Sequence, residues 1–249
     1  MDKKEMIYGT RAVMEAIRAG RDIETILIQK GLRNELINEL IDFARKGGLP
    51  FNFVPEQKLS GLTGKNHQGV IAILSSVHFE SIENIVHGVF SEGKEPFILI
   101  LDRVTDVRNF GAIVRTAETA GIQAIVIPEK GSAPISADAM KTSAGALNFV
   151  PVCRAKNLKQ TIRELKNSGL KVVACTEKAA DVIYKTDLTG PLALMFGSEE
   201  DGVSPELLKE ADYLAKIPMA GKIHSLNVSV AAGISLYEAV RQKGFSNHE

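Results

Sequence analysis

The chain has 249 residues, 45% hydrophobic and 24% charged, enough for one large domain or two smaller ones with a real core. Thirty Lys and Arg against 30 Asp and Glu give zero formal net charge. That balance argues against an indiscriminate polyanion binder and leaves room for a local basic patch. No apolar run approaches the ~20 residues that span a bilayer, and the start MDKKEMIYGTRAV lacks a signal-peptide core; no membrane partner is expected. Cys153 and Cys175 are scattered thiols without disulfide or metal spacing, so the expected address is the cytoplasm.

Residues 1–76 read as a small α/β unit. Its expected elements are a helix over 8–19, a strand Ile23–Gln29, a helix over 34–46, and strands Phe51–Val54 and Val70–Leu74. Gly47, Gly48 and Pro50 punctuate the turn after the second helix. The glycine-rich GLTGKNHQG, residues 61–69, reads as an exposed loop. Residues 77–95 are acidic, lead into Pro96 and read as a linker, within which 82–90 has the pattern of a short amphipathic helix.

From 96 to 249 the pattern alternates regularly. Strands are expected at Phe97–Leu101, 122–127, 149–153, 170–175, Leu192–Phe196 and 214–218. Helices are expected over 110–120, 137–145, Leu158–Asn167 and 205–210, and over a last stretch from about 228. Continuous apolar strands between amphipathic helices indicate a mostly parallel sheet covered on both faces. Ligands on such sheets sit beyond the carboxyl ends of the strands.

Three polar clusters follow strands in this second part. In residues 101–121, Asn109 is expected as an N-cap, with Gly111 and Ala112 keeping the first turn open. Arg115 either reaches back toward an anion at that helix start or pairs with Glu118 or Asp106 on the surface. In residues 195–208, Gly197 and Gly202 bracket an acidic turn, and Ser204-Pro205 opens a helix. Glu199 there either meets a ligand or is plain solvated acid. In residues 217–240 a polar turn, 222–224, leads to Ser225-Leu226-Asn227 and a helix apolar on more than one side, which predicts burial on more than one side. Ser225 serves as a cap or as a ligand contact, whereas Asn227 in so apolar a setting calls for polar partners. His224 reads as a surface turn residue, and without a second His or Cys at ligand spacing no metal is expected. Neither GxGxxG nor a Walker A lysine appears, so any cofactor is bound in another way.

In this order the clusters resemble the motifs of the SpoU (TrmH-like) class of SPOUT RNA methyltransferases. Asn109, Gly111, Arg115, Thr116 and Ala117 match the first, and Gly197, Glu199 and Gly202 the second. The third is matched by Ile217, Pro218, Ser225, Leu226, Asn227, Val228, Ser229 and Ala231. The resemblance covers residues 97–242. YGTRAVMEAI (8–17) and HQGV (67–70) are similar to the substrate-binding domain of a subgroup that includes rRNA guanosine methyltransferases.

This resemblance implies methyl transfer from S-adenosyl-L-methionine to a ribose 2′-hydroxyl in structured RNA, with a guanosine of 23S rRNA as the expected target. The same reaction on tRNA and a non-catalytic RNA-binding protein of the same fold are the alternatives. It also implies a C-terminal trefoil knot and a homodimer. Backbone around Gly197, Ile217 and Leu226 is expected to hold the cofactor, and Asn109, Arg115, Glu199, Ser225 and Asn227 to form the catalytic site. A guanidinium stays protonated, so Arg115 is expected to grip the phosphate beside the target ribose instead of acting as base. RNA affinity is expected from residues 1–76, with Arg11, Arg18, Lys30, Arg33, Lys65, Asn66 and His67 as candidate contacts.

Overall fold

The structure is a computed structural model that describes residues 5–75, 77–222 and 225–244. His224 lies outside the described residues. The chain divides into two compact units, one running to His78 and including Pro134–Ala137, the other comprising the chain from Phe79 onward apart from that short segment.

The first unit runs β1 (Met6–Tyr8), α1 (Thr10–Arg18), β2 (Ile23–Gln29), α2 (Glu35–Gly47), β3 (Phe51–Val54), α3 (Glu56–Leu62) and β4 (Val70–Leu74). Its sheet has the order β1-β4-β2-β3, with β4 antiparallel to both neighbours and β2 parallel to β3. Two elements differ from expectation. Tyr8 belongs to a strand, because Gly9, at φ 85, turns the chain before the helix starts at Thr10. α3 is an unforeseen seven-residue helix that buries only Leu59, too little apolar surface to leave a periodic signal. α2 begins as its sequence suggests: Asn34 Oδ1 accepts from the Ile37 N–H at 2.8 Å, and Gly48 ends the helix at φ 65. Ile37, Leu40 and Ala44 form its buried stripe, meeting Val13, Ile26, Ile28 and Val70 in the unit's core.

The second unit opens with α4 (Ile82–Ser91), then β5 (Phe97–Leu101), α5 (Val107–Thr119), β6 (Ala124–Pro128), α6 (Ala137–Thr142) and β7 (Val152–Ala155). α7 (Leu158–Asn167), β8 (Lys171–Cys175), β9 (Asp181–Val182), β10 (Leu192–Phe196), α8 (Pro205–Leu208), β11 (Tyr213–Lys216) and α9 (Val228–Lys243) complete it. The sheet order is β7-β6-β5-β10-β8-β11-β9, and every neighbouring pair is parallel. β5 and β10 are buried at every position, which is why both read as unbroken apolar runs.

Most of the stretch expected as a linker is structured. Ser81 caps α4, and Ile82 and Val86 are buried in the core that β5, β6 and β10 share. α5 starts earlier than expected because its cap is Asp106, whose Oδ1 accepts from the Arg108 and Asn109 N–H groups at 2.9 and 2.8 Å; Asn109 lies within the first turn. The last helix is capped by Asn227, not Ser225. It is buried along one face only, through Val228, Ala232, Ser235, Leu236, Glu238 and Ala239. Val230 and Tyr237 remain 49% and 45% exposed, so the expected burial on a second side is not met within one chain.

Candidate active site

The loops after β5 and β10 are pinned together by Asp102. This carboxylate is 3% exposed and accepts from the Ser204 N–H at 2.8 Å and the Ser204 hydroxyl at 2.6 Å. Arg103, at φ 57, donates to Asp102, to Asp201 at 3.2 Å and to the Gly202 carbonyl at 3.1 Å. The neighbouring Asp102 raises the pKa of this guanidinium further. Ser204 stands where a helix cap was expected, yet its hydroxyl serves Asp102 and makes no cap bond. Neither role was read from the sequence. The available signal was an acid placed directly after the apolar run FILIL, at a strand's carboxyl end.

Gly197 closes the next turn. A Cβ there would lie 1.9 Å from the Gly202 carbonyl carbon, so only glycine lets the two backbone segments meet. The Ser198 and Gly202 backbones exchange hydrogen bonds at 3.2 and 3.0 Å, which presents Glu199 at the exposed tip. Gly111 has the same kind of role. Its missing Cβ makes room for Thr142, at 2.1 Å from where that atom would stand, and not for a ligand.

Asn227 joins the three loops. Its Oδ1 accepts from the Ser229 N–H at 2.9 Å, capping α9. Its Nδ2 donates to Asn109 Oδ1 at 3.0 Å and to Glu199 Oε1 at 2.7 Å. Both sides of the amide are thus engaged, and Asn109, Glu199 and Asn227 form one constellation beyond the strand ends. A cleft of about 270 Å³ opens beside it, lined by Asn109, Glu199, Arg103, Thr105, Asp106 and Val228.

A second cleft lies on the other side of the α9 entrance, at the carboxyl ends of β8, β10 and β11. Ile217, Ser225 and Leu226 line it with Thr176, Glu177 and Phe196. Gly197 is not in its wall, although Phe196 beside it is. Cys175 also lines this cleft; burial pushes its thiol up to about 12, so it stays protonated at neutral pH.

Arg115 stands apart. It is exposed on α5, six residues past Asn109, which on a helix turns it about 120° away. Among the described residues it makes no hydrogen bond or ion pair, and it lines neither cleft. Its expected surface partner Asp106 is occupied as a cap instead. Thr119, one turn further along α5, accepts from the Tyr237 hydroxyl at 3.3 Å, so Arg115 borders the exposed face of α9. No cluster of three or more His, Cys, Asp or Glu able to hold a metal occurs among the described residues, and none of their helices is long and apolar enough to cross a membrane.

Residues 96–237 match the SpoU rRNA Methylase family, and residues 6–79 match the RNA 2′-O ribose methyltransferase substrate binding family. The chain belongs to the SpoU rRNA methylase family. It is therefore an RNA methyltransferase, and S-adenosylmethionine is its methyl donor. Among the family's curated members, the 23S rRNA (guanosine-2′-O-)-methyltransferase RlmB of Vibrio parahaemolyticus is 38% identical over 96% of this chain and 97% of its own. YacO of Bacillus subtilis, a TrmH family tRNA/rRNA methyltransferase by name, is 34% identical over 96% of both chains. The AdoMet-bound rRNA methyltransferase from Sinorhizobium meliloti superposes with a TM-score of 0.60 at 29% identity, covering 95% of this SpoU-family chain and 86% of the other.

Proposed function

We propose that this protein methylates the ribose 2′-hydroxyl of a guanosine in 23S rRNA, in the cytoplasm, as a homodimer whose C-terminal segment forms the trefoil knot of its class. The observation that carries the chemistry is the Asn227 amide held between Asn109 and Glu199, because it gathers the polar residues of three distant loops at one place. The guanosine and 23S assignments lean on the likeness to RlmB proteins over nearly the whole chain.

The second cleft suits the adenosine part of the donor. Phe196, Ile217 and Leu226 offer apolar surface to a base, and the Glu177 carboxylate offers an acceptor for ribose hydroxyls. At about 70 Å³ it encloses only part of so large a molecule. Bound adenosylmethionine supplies an electrophilic methyl group. A ribose hydroxyl is a poor nucleophile at neutral pH, so the chain's task is to position it and help its proton leave. Glu199 Oε1 is tied to Asn227, and Oε2 has no partner among the described residues, which supports a role for it as acceptor of the hydroxyl's hydrogen bond. Ser225, in the cofactor cleft two residues before Asn227, orients the hydroxyl or a water that takes the proton. Arg115 grips the phosphate beside the ribose.

The dimer reading is supported by what one chain leaves incomplete. Val230 and Tyr237 are exposed, and Arg115 beside them is distant in direction from the Asn109 constellation. A second copy packed on that face covers the apolar residues and brings Arg115 of one copy toward the constellation of the other. The test is to map 2′-O-methylation in 23S rRNA and tRNA from cells with and without the protein. Loss of one methylguanosine from 23S rRNA supports the reading; loss from tRNA redirects the substrate, and no loss anywhere refutes it.

A further inference from the structure

A cleft of the first unit, about 540 Å³, is lined by Lys30, Arg33, Ile37, Asn38, Ile41 and Phe53 together with Gly31 and Leu32, and by no acidic residue. We infer that it seats one unpaired nucleobase of the RNA, stacked on Phe53, with the adjoining phosphates held by Lys30 and Arg33. This inference rests on the reading that the first unit binds RNA, and it names the part of the RNA recognised.

Phe53 is the first reason. It sits on β3, the edge strand of its sheet, and is 47% exposed although a core lies one residue away at Val54. Phe51 meets it edge-on at 6.0 Å between centroids, which sets the ring's orientation. The buried Ile37 and half-buried Ile41 supply an apolar floor from α2. Asn38 adds an amide that both donates and accepts, the pattern that reads a base edge.

The cations are the second reason. Elsewhere in the unit Arg18 pairs with Glu15 and Glu39, Arg21 with Glu5, and Lys65 lies over the Tyr8 ring. The Lys30 and Arg33 side chains have no such partner among the described residues. They also stand on a rigid rim. The Lys30 N–H donates to the Val54 carbonyl at 2.8 Å, and Gly31 turns the chain at φ 81. Leu32 fills the space where a Cβ on Gly69 would be, 2.5 Å from its Cδ2. The HQG segment therefore braces this rim, and His67 is engaged in its own turn, accepting from the Gly69 N–H at 3.0 Å. An A-form duplex hides its base faces, so an exposed ring beside two unpaired cations suits a splayed-out, single-stranded nucleotide.

The test uses the full-length protein and two fluorescent RNAs, a hairpin with an unpaired loop and the same stem as a blunt duplex. Phe53→Ala is expected to weaken hairpin binding about tenfold to a hundredfold and to leave duplex affinity and calorimetric adenosylmethionine binding unchanged. Phe53→Tyr should retain the affinity, while Phe53→Leu, apolar but without a π-face, should lose it. Lys30→Ala and Arg33→Ala should each lower the salt slope of hairpin binding by ~0.7. Equal hairpin affinity for Phe53→Ala and wild type, or an equal loss on the duplex, overturns the inference. A hairpin preference that depends on Phe53 in a protein that fails to bind adenosylmethionine upholds the pocket and refutes the proposed function.

Discussion

Asn227 donates its side-chain amide to Glu199 at 2.7 Å across 28 residues of sequence, while its carbonyl oxygen caps the helix that follows. One side chain thus performs a structural and a site-forming task, and substitutions can separate them. Asn227→Asp keeps the cap oxygen and sets a second carboxylate against Glu199. Its thermal stability is expected to stay near wild type while methyl transfer falls a hundredfold or more, on the order of a lost positioning group. Asn227→Ala is expected to lose about 1 kcal/mol of stability as well. Wild-type turnover in Asn227→Asp would show that the bridge to Glu199 is incidental.

The backbone contact between Gly197 and Gly202 gives a contrasting pair. Gly197→Ala forces a Cβ to within 1.9 Å of main chain that has no room to retreat. We expect a loss of about 3 kcal/mol, at the upper end for overpacking, together with loss of cofactor binding. Gly88→Ala, on the exposed side of α4 with nothing within 4 Å, is expected to stabilise by ~0.5–1 kcal/mol through helix propensity. Denaturant melts of the two variants decide the matter, and equal shifts would mean that the tight turn is not rigid.

Glu210 supplies a pH dependence. Arg163, donating twice at 2.8 Å, and then Lys159 hold its carboxyl at about 2, below the ordinary 4.5. A carboxyl depressed in the folded state contributes stability that is fully present above pH 4.5 and is lost as pH falls through about 2. The stability difference between wild type and Glu210→Gln should therefore be constant near neutrality and shrink across that acid window. A difference that does not change from pH 5 downward would contradict the assignment.

Arg115 lends itself to subunit mixing. Arg115→Ala should bind adenosylmethionine normally and transfer no methyl, and Arg115→Lys should remain severely impaired because a bidentate fork is lost. Mixed with Asn227→Ala, it should regain partial activity if the arginine of one copy serves the constellation of the other. Mixtures as inactive as either parent would place Arg115 outside a shared site.

Much of the second unit was legible because its strands are buried on both faces and so read as unbroken apolar runs, as at Phe97–Leu101 and Leu192–Phe196. The small elements were not. β1 has three residues and α3 buries one, so neither has a period to detect. The cap of α5 is ambiguous in the sequence because Asp106 and Asn109 are both good cap residues, and only the hydrogen bonds distinguish them. That Asn109, Glu199 and Asn227 meet follows from motif resemblance in the sequence, and from hydrogen bonds in the structure. That Arg115 faces elsewhere is a matter of helical phase, which the sequence contains once the start of α5 is known. The buried Asp102–Ser204 contact spans 102 residues, and no local pattern reports such a pairing.

The most direct measurement incubates the purified protein with methyl-labelled adenosylmethionine and total RNA from cells that lack it, and then maps the label. Label at the 2′-oxygen of a single guanosine in 23S rRNA, incorporated about a hundredfold more slowly or worse by Asn227→Asp, is the predicted result. Label on a base, or no label in any RNA while the donor is bound, would contradict it.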